Sequence, residues 1–91
     1  MDRVAKIRQA LEEALQPSHL EIEDDSAAHA GHAGARDGRG HFNVLVVSEA
    51  FDGLLPLQRH RKVFAAVGSL METDIHALSI KAYTAEQFSN L

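Results

Sequence analysis

The sequence predicts a small α+β domain, a two-layer sandwich with a three-stranded mixed sheet and the element order α-β-β-α-β-α. Three observations lead there. Apolar residues recur at helical spacing near the start of the chain and again after Pro56, whereas three other segments alternate with period two. The last two of these strands are separated by a helical segment. A strand that reaches its neighbour through a helix makes a right-handed crossover, which places the helices on one face of the sheet. The size of the chain is the third observation: 91 residues, 45% of them hydrophobic, supply one modest core, so residues 1–91 read as a single domain.

In the first helix Val4, Ile7, Leu11, Ala14 and Leu15 form the apolar stripe, with Arg3, Lys6, Arg8, Glu12 and Glu13 opposite and Pro17 as the stop. The stretch HLEIEDDS alternates Leu20 and Ile22 with Glu21 and Glu23, the pattern of a strand with one wet face. The following SAAHAGHAGARDGRGHF, Ser26 to Phe42, has an Ala/Gly-rich centre with neither period. It reads as a long mobile connection from Ala27 to Gly40. In HFNVLVVSEAF, Phe42, Val44 and Val46 take one face and Leu45 and Val47 the other, as in a central strand.

Asp52-Gly53 marks a turn, and Pro56 opens a helix with Leu57, His60, Phe64, Val67 and Met71 on its apolar stripe and Val63 and Leu70 beside it. The third strand, IHALSIKAYT, places His76, Leu78, Ile80 and Ala82 on one parity and Ala77, Ser79, Lys81 and Tyr83 on the other. Thr84, three residues before Gln87, has the spacing of a capping box, and it opens a short helix with Phe88 and Leu91 as its apolar face.

Composition narrows the function. No apolar run approaches the length of a membrane span and the first residues lack an apolar signal-peptide centre, so the expected location is cytoplasmic. The absence of cysteine removes disulfides and thiolate nucleophiles and leaves the six histidines as the strong transition-metal ligands. A formal charge of −4 argues against coating nucleic acid by bulk electrostatics, but Arg59, Arg61 and Lys62 form a local basic cluster suited to phosphate contacts. Ser48, Glu49, Asp52 and His60 accompany no nucleophile elbow, phosphate loop or paired-carboxylate cleft, which argues against an enzyme.

Read by themselves, the histidines give weak signals. His29 and His32 form a His-x-x-His pair, which by itself reads as solvated loop residues ahead of a metal site. His76 shares the parity of Leu78 and Ile80 and reads as a core histidine with one edge near solvent, whereas His60 lies on an apolar stripe and reads as packing. His41 fits strand-end packing and organisation of the loop equally well. The string GHAG matches the Gly-x-x-Gly clamp of nucleic-acid-binding KH domains, but it lies between strands and not between the paired helices where that clamp works.

Taken together, HFNVLVVSEAFDGLLPLQRHRKVFAAV and IHALSIKAYTAEQF resemble the BolA family. The resemblance rests on a His-Phe strand start, a Val-Ser-x-x-Phe-x-Gly turn, an Arg-His-Arg helix and a His-Ala-Leu strand, in that order, and covers about Leu20 to Phe88. It implies a type II KH-like fold. It also implies pairing with a monothiol glutaredoxin, the two proteins and glutathione sharing a 2Fe-2S cluster in iron-sulfur trafficking or iron sensing. The histidine of the His-Ala-Leu strand, His76, and the loop residue nine positions before the His-Phe histidine, His32, would be the cluster ligands, and His29 is a possible substitute for His32. With no cysteine in the chain, this is the histidine-type branch, and no cluster is expected on the isolated protein. The alternative that the resemblance implies is a DNA-binding transcriptional regulator, of the type that affects cell shape and stress response, using Arg59, Arg61 and Lys62.

Overall fold

The structure, a computed structural model, describes residues 2–26 and 38–91. Its first helix, α1 (Arg3–Leu15), starts where the Asp2 carboxylate accepts the amide of Ala5 at 2.7 Å, and ends where Gln16 adopts a left-handed conformation ahead of Pro17. Ile7, Leu11 and Leu15, one turn apart, are its buried residues, whereas Ala14 lies on the wet side of the predicted stripe.

Three strands form one sheet in the order β1 (His19–Asp24), β2 (Gly40–Val47), β3 (Ile75–Tyr83). The β1 and β2 strands are antiparallel, with His19 opposite Val47 and Asp24 opposite Phe42. The β2 and β3 strands are parallel, with His41 opposite Ala77 and Val47 opposite Tyr83. Parallel neighbours need a crossover connection. It is built from a short 3-10 turn (Glu49–Phe51), α2 (Pro56–Val67) and α3 (Leu70–Thr73).

Phe42, Val44 and Val46 on β2 meet Ile7, Leu11 and Leu15 of α1 and Val63 and Val67 of α2 in one core, completed by Phe51 and Ile75. Leu20, Ile22, Leu78, Ile80 and Ala82 pack against it from the flanking strands. The alternate residues Glu21, Glu23, Ser79 and Lys81 are exposed on the other face of the sheet. The two layers are therefore the helices that precede β3 on one side and, on the other, a sheet face left open over most of its length, as the alternation predicts.

Two helical details differ from the sequence expectation. The segment after Pro56 is not continuous to Met71: Gly68, at φ +53°, accepts the left-handed half of backbone space, donates its amide to Phe64 O and ends α2. The buried face of α2 is Arg59, Val63 and Val67, so the apolar stripe is rotated away from Leu57 and Phe64, which are 60% and 39% exposed.

The last helix, α4 (Ala85–Ser89), has the expected capping box, Thr84 accepting from the Gln87 amide while the Gln87 side chain accepts from Thr84. It covers one end of the open face. Phe88 stacks on His19 at 4.8 Å and lies 6.4 Å from Tyr83, and these two residues flank the buried Val47 in one cross-strand row. Leu91, expected on the same apolar face, is exposed.

Candidate functional site

Because β2 and β3 run parallel, their first residues lie side by side at one end of the sheet. Here Gly40 is opposite Ile75 but His41 is opposite Ala77, so His76 is one residue too many in the pairing. Such a bulge resets the facing of the strand. Ile75 takes the inward place and is fully buried, whereas His76 is exposed. The parity argument that grouped His76 with Leu78 and Ile80 fails at this bulge, because alternation holds only along an uninterrupted ladder.

Gly40 is buried at the start of β2, and the site needs its small size. A Cβ there would stand 2.6 Å from Ser26 Oγ and 2.7 Å from the Phe42 ring. The Ser26 hydroxyl instead accepts the His41 amide at 3.1 Å, and His41 O accepts the Asp25 amide at 2.8 Å. These bonds tie the end of β1 to the start of β2. The ring of His41 lies 5.2 Å from that of His76, tilted by 45°, so two imidazoles adjoin at this edge.

Arg39, the residue before β2, reaches across the same edge. One guanidinium nitrogen donates to Met71 O at 2.9 Å, and the other lies 3.3 Å from His76 Nδ1. Two residues before His76 in the chain, Asp74 is buried, receiving Lys6 at 3.1 Å and Arg3 at 3.5 Å from α1. The Thr73 hydroxyl, and after it the Lys6 ammonium, hold the Asp74 carboxyl below the usual carboxylate range. Gly40 donates its amide to Asp74 O at 2.9 Å, so bonds from α1, α3 and β2 converge on Asp74, the residue before β3.

His29 and His32 lie outside the described residues, as does most of the connection from Ala27 to Gly40. Among the described residues, no three His, Cys, Asp or Glu side chains group so as to hold a metal ion. Arg39 and the partnership of His41 with His76 escaped the sequence reading. For His41 a signal existed: two histidines, each at the start of a strand joined by a crossover, become neighbours once the strands are parallel.

The basic cluster on α2 is divided by the fold. Arg59 is buried, its Nε donating to Leu54 O at 2.9 Å and its Nη1 to Ala82 O at 3.1 Å and Gln87 Oε1 at 2.6 Å. Its guanidinium joins α2, β3 and α4, whereas Arg61 and Lys62 are exposed and His60 is half-buried. Ser48 is likewise internal: its hydroxyl donates to Leu15 O at 2.6 Å and accepts from Ala50 N, capping the 3-10 turn.

The sequence between Leu11 and Gln87 matches the family model described as BolA-like protein. The chain belongs to the BolA family. BolA-like protein 1 from Homo sapiens is 48% identical over 84 residues, which cover 92% of this chain and 59% of that protein. The DNA-binding transcriptional regulator BolA of Escherichia coli (strain K12) is 35% identical, over 94% of this chain and 79% of that protein. The solved structure of BolA1 from Arabidopsis thaliana superposes with a TM-score of 0.82 at 40% identity, covering 96% of each chain. This BolA-family chain spans little more than half the length of the human relative. No helix among the described residues is long and apolar enough to cross a membrane.

Proposed function

We propose that this chain is a non-enzymatic adaptor that pairs with a monothiol glutaredoxin and shares a 2Fe-2S cluster with it in iron-sulfur trafficking or iron sensing. The observation that carries the reading is the bulge that turns the imidazole of His76 out of the core at the end of the sheet. A histidine whose work was packing would occupy the place that Ile75 fills. In this reading His76 is the ligand on the rigid sheet and His32 the ligand from the connection that leads into β2, with His29 three residues away as a substitute.

The cluster is cargo that two proteins hold between them. A chain with no cysteine brings nitrogen donors alone, so the thiolates come from the glutaredoxin and from glutathione. Two neutral imidazoles on one iron donate less charge than thiolates and raise the reduction potential, as in Rieske centres. The role of this chain's residues is to present His76 from a fixed backbone, with Asp74, Gly40 and Ser26 holding the strand starts that aim it.

The test is a titration of the apo protein into a cluster-loaded monothiol glutaredoxin, followed by visible circular dichroism. A new spectrum that saturates at one chain per glutaredoxin supports the adaptor. An unchanged glutaredoxin spectrum refutes it. Within the mixed complex, His32→Ala should weaken the new signal, and His29→Ala combined with His32→Ala should remove what remains.

The second reading, a DNA-binding transcriptional regulator, draws on the name of the Escherichia coli relative. It has Arg61 and Lys62 on the exposed side of α2, whereas the guanidinium of Arg59 is engaged inside the fold. Two cations contribute up to about 1.8 units of salt slope, at about 0.9 per phosphate neutralised. Sequence-selective nanomolar binding of duplex DNA at physiological salt, lost on replacing Arg61 and Lys62 by Ala, would favour this reading over the adaptor.

A further inference from the structure

We infer that Arg39 is a latch on His76: its guanidinium sets the tautomer of the ring and must give up the ring for a metal to bind there. This rests on the reading of His76 as a metal ligand, but its structural premise stands on contacts within the chain. Arg39 Nη1 donates to Met71 O at 2.9 Å, and Nη2 lies 3.3 Å from His76 Nδ1. A guanidinium carries donors and no acceptor and keeps its charge at any physiological pH. The contact with His76 therefore has one polarity: Arg39 donates and Nδ1 accepts. The proton of the neutral ring then resides on Nε2.

A metal takes the bare nitrogen of a neutral imidazole. At His76 that nitrogen is Nδ1, the one that faces Arg39. Coordination through Nδ1 displaces Nη2 directly. Coordination through Nε2 moves the ring proton to Nδ1, which then sets an N–H against the N–H of Arg39 and expels it as well. Both routes release the guanidinium from the ring. The contact to His76, at 3.3 Å, is longer than the bond to Met71 O, at 2.9 Å, so the bond to Met71 O holds Arg39 at the edge while Nη2 swings off.

The consequence is an apparent metal affinity reduced by the fraction of molecules in which the ring is released. For a single hydrogen bond of ordinary net strength that reduction is about three- to tenfold.

The experiment uses the full chain, wild type and Arg39→Met, which retains the apolar stem and lacks the donors. Long-range proton–nitrogen correlation spectra of the imidazoles should show His76 as the Nε2–H tautomer in the wild type and as a mixture in Arg39→Met. Titration with Ni2+ as probe, followed on the His76 ring signals, should show three- to tenfold tighter binding by the variant. The gain should persist at high salt, where the loss of one repelling charge is screened. A wild-type ring protonated on Nδ1 overturns the proposal even if the variant fails to fold, and so does an unchanged Ni2+ affinity in a folded variant. Failure of the adaptor reading is recognised separately: His76→Ala would leave the mixed-complex spectrum intact while the tautomer and Ni2+ results stood.

Discussion

Gly40 begins the central strand in a space too small for a methyl group, since an added Cβ would press on Ser26 Oγ and the Phe42 ring. Gly40→Ala should cost about 1–3 kcal/mol by overpacking, read from the midpoint of urea unfolding, and should broaden the signals of His41 and His76 as the strand starts shift. Arg59 makes a second residue-scale prediction. Replacing it by Ala leaves the carbonyls of Leu54 and Ala82 without its guanidinium and should destabilise the fold by about 2–4 kcal/mol. Arg61→Ala, on the exposed side of the same helix, should change stability by no more than about 0.5 kcal/mol. Equal effects of the two on stability would contradict the assignment of Arg59 as an internal tie. The sequence alone grouped these cations because helical periodicity treats arginine as a wet residue. The fold buries one because three acceptors, from the turn before α2, from β3 and from α4, converge where its side chain ends.

At the scale of elements, α1 is fastened to the start of β3 through Asp74, which receives Arg3 and Lys6. Its carboxyl is held below the usual range in the folded protein, chiefly by Thr73 and then by Lys6. The sign follows from linkage: a depressed folded pKa contributes stability that is complete above the unfolded value of about 3.9 and is lost as pH falls through the folded value. Urea unfolding across that acid range should therefore show Asp74→Asn losing less stability on acidification than the wild type, after starting from a lower value at neutral pH. Parallel acid profiles for the two proteins would remove Asp74 from this role. Element boundaries were legible wherever one residue type decides them, as at Pro17, Pro56 and the Thr84–Gln87 capping box. Gly68 gives no such signal because the apolar spacing continues across it into Leu70 and Met71, although the positive φ there separates two helices.

For the molecule as a whole, the alternation of β1 and β2 and the stripe of α1 were enough to specify two layers and a three-stranded sheet. The edge that carries the candidate site was less legible. Periodicity is a property of one strand, whereas the bulge at His76 exists only in the pairing of β2 with β3. The family resemblance pointed to His76 as a ligand, and parity within β3 pointed it into the core. The bulge removes the core reading by giving the inward place to Ile75 and leaves His76 exposed; its role as a ligand is what we propose. Arg39 sits in a stretch of Gly, Arg and Asp with no period, so its reach to Met71 and His76 had no sequence signal at all. The central claim is that the exposed imidazole of His76 holds a cluster shared with a glutaredoxin. The most direct measurement is visible circular dichroism of the mixed complex formed with His76→Ala, with complex formation verified independently by sedimentation. The account predicts loss of the mixed-ligand spectrum while the two proteins still associate; a spectrum identical to that of the wild-type complex would contradict it.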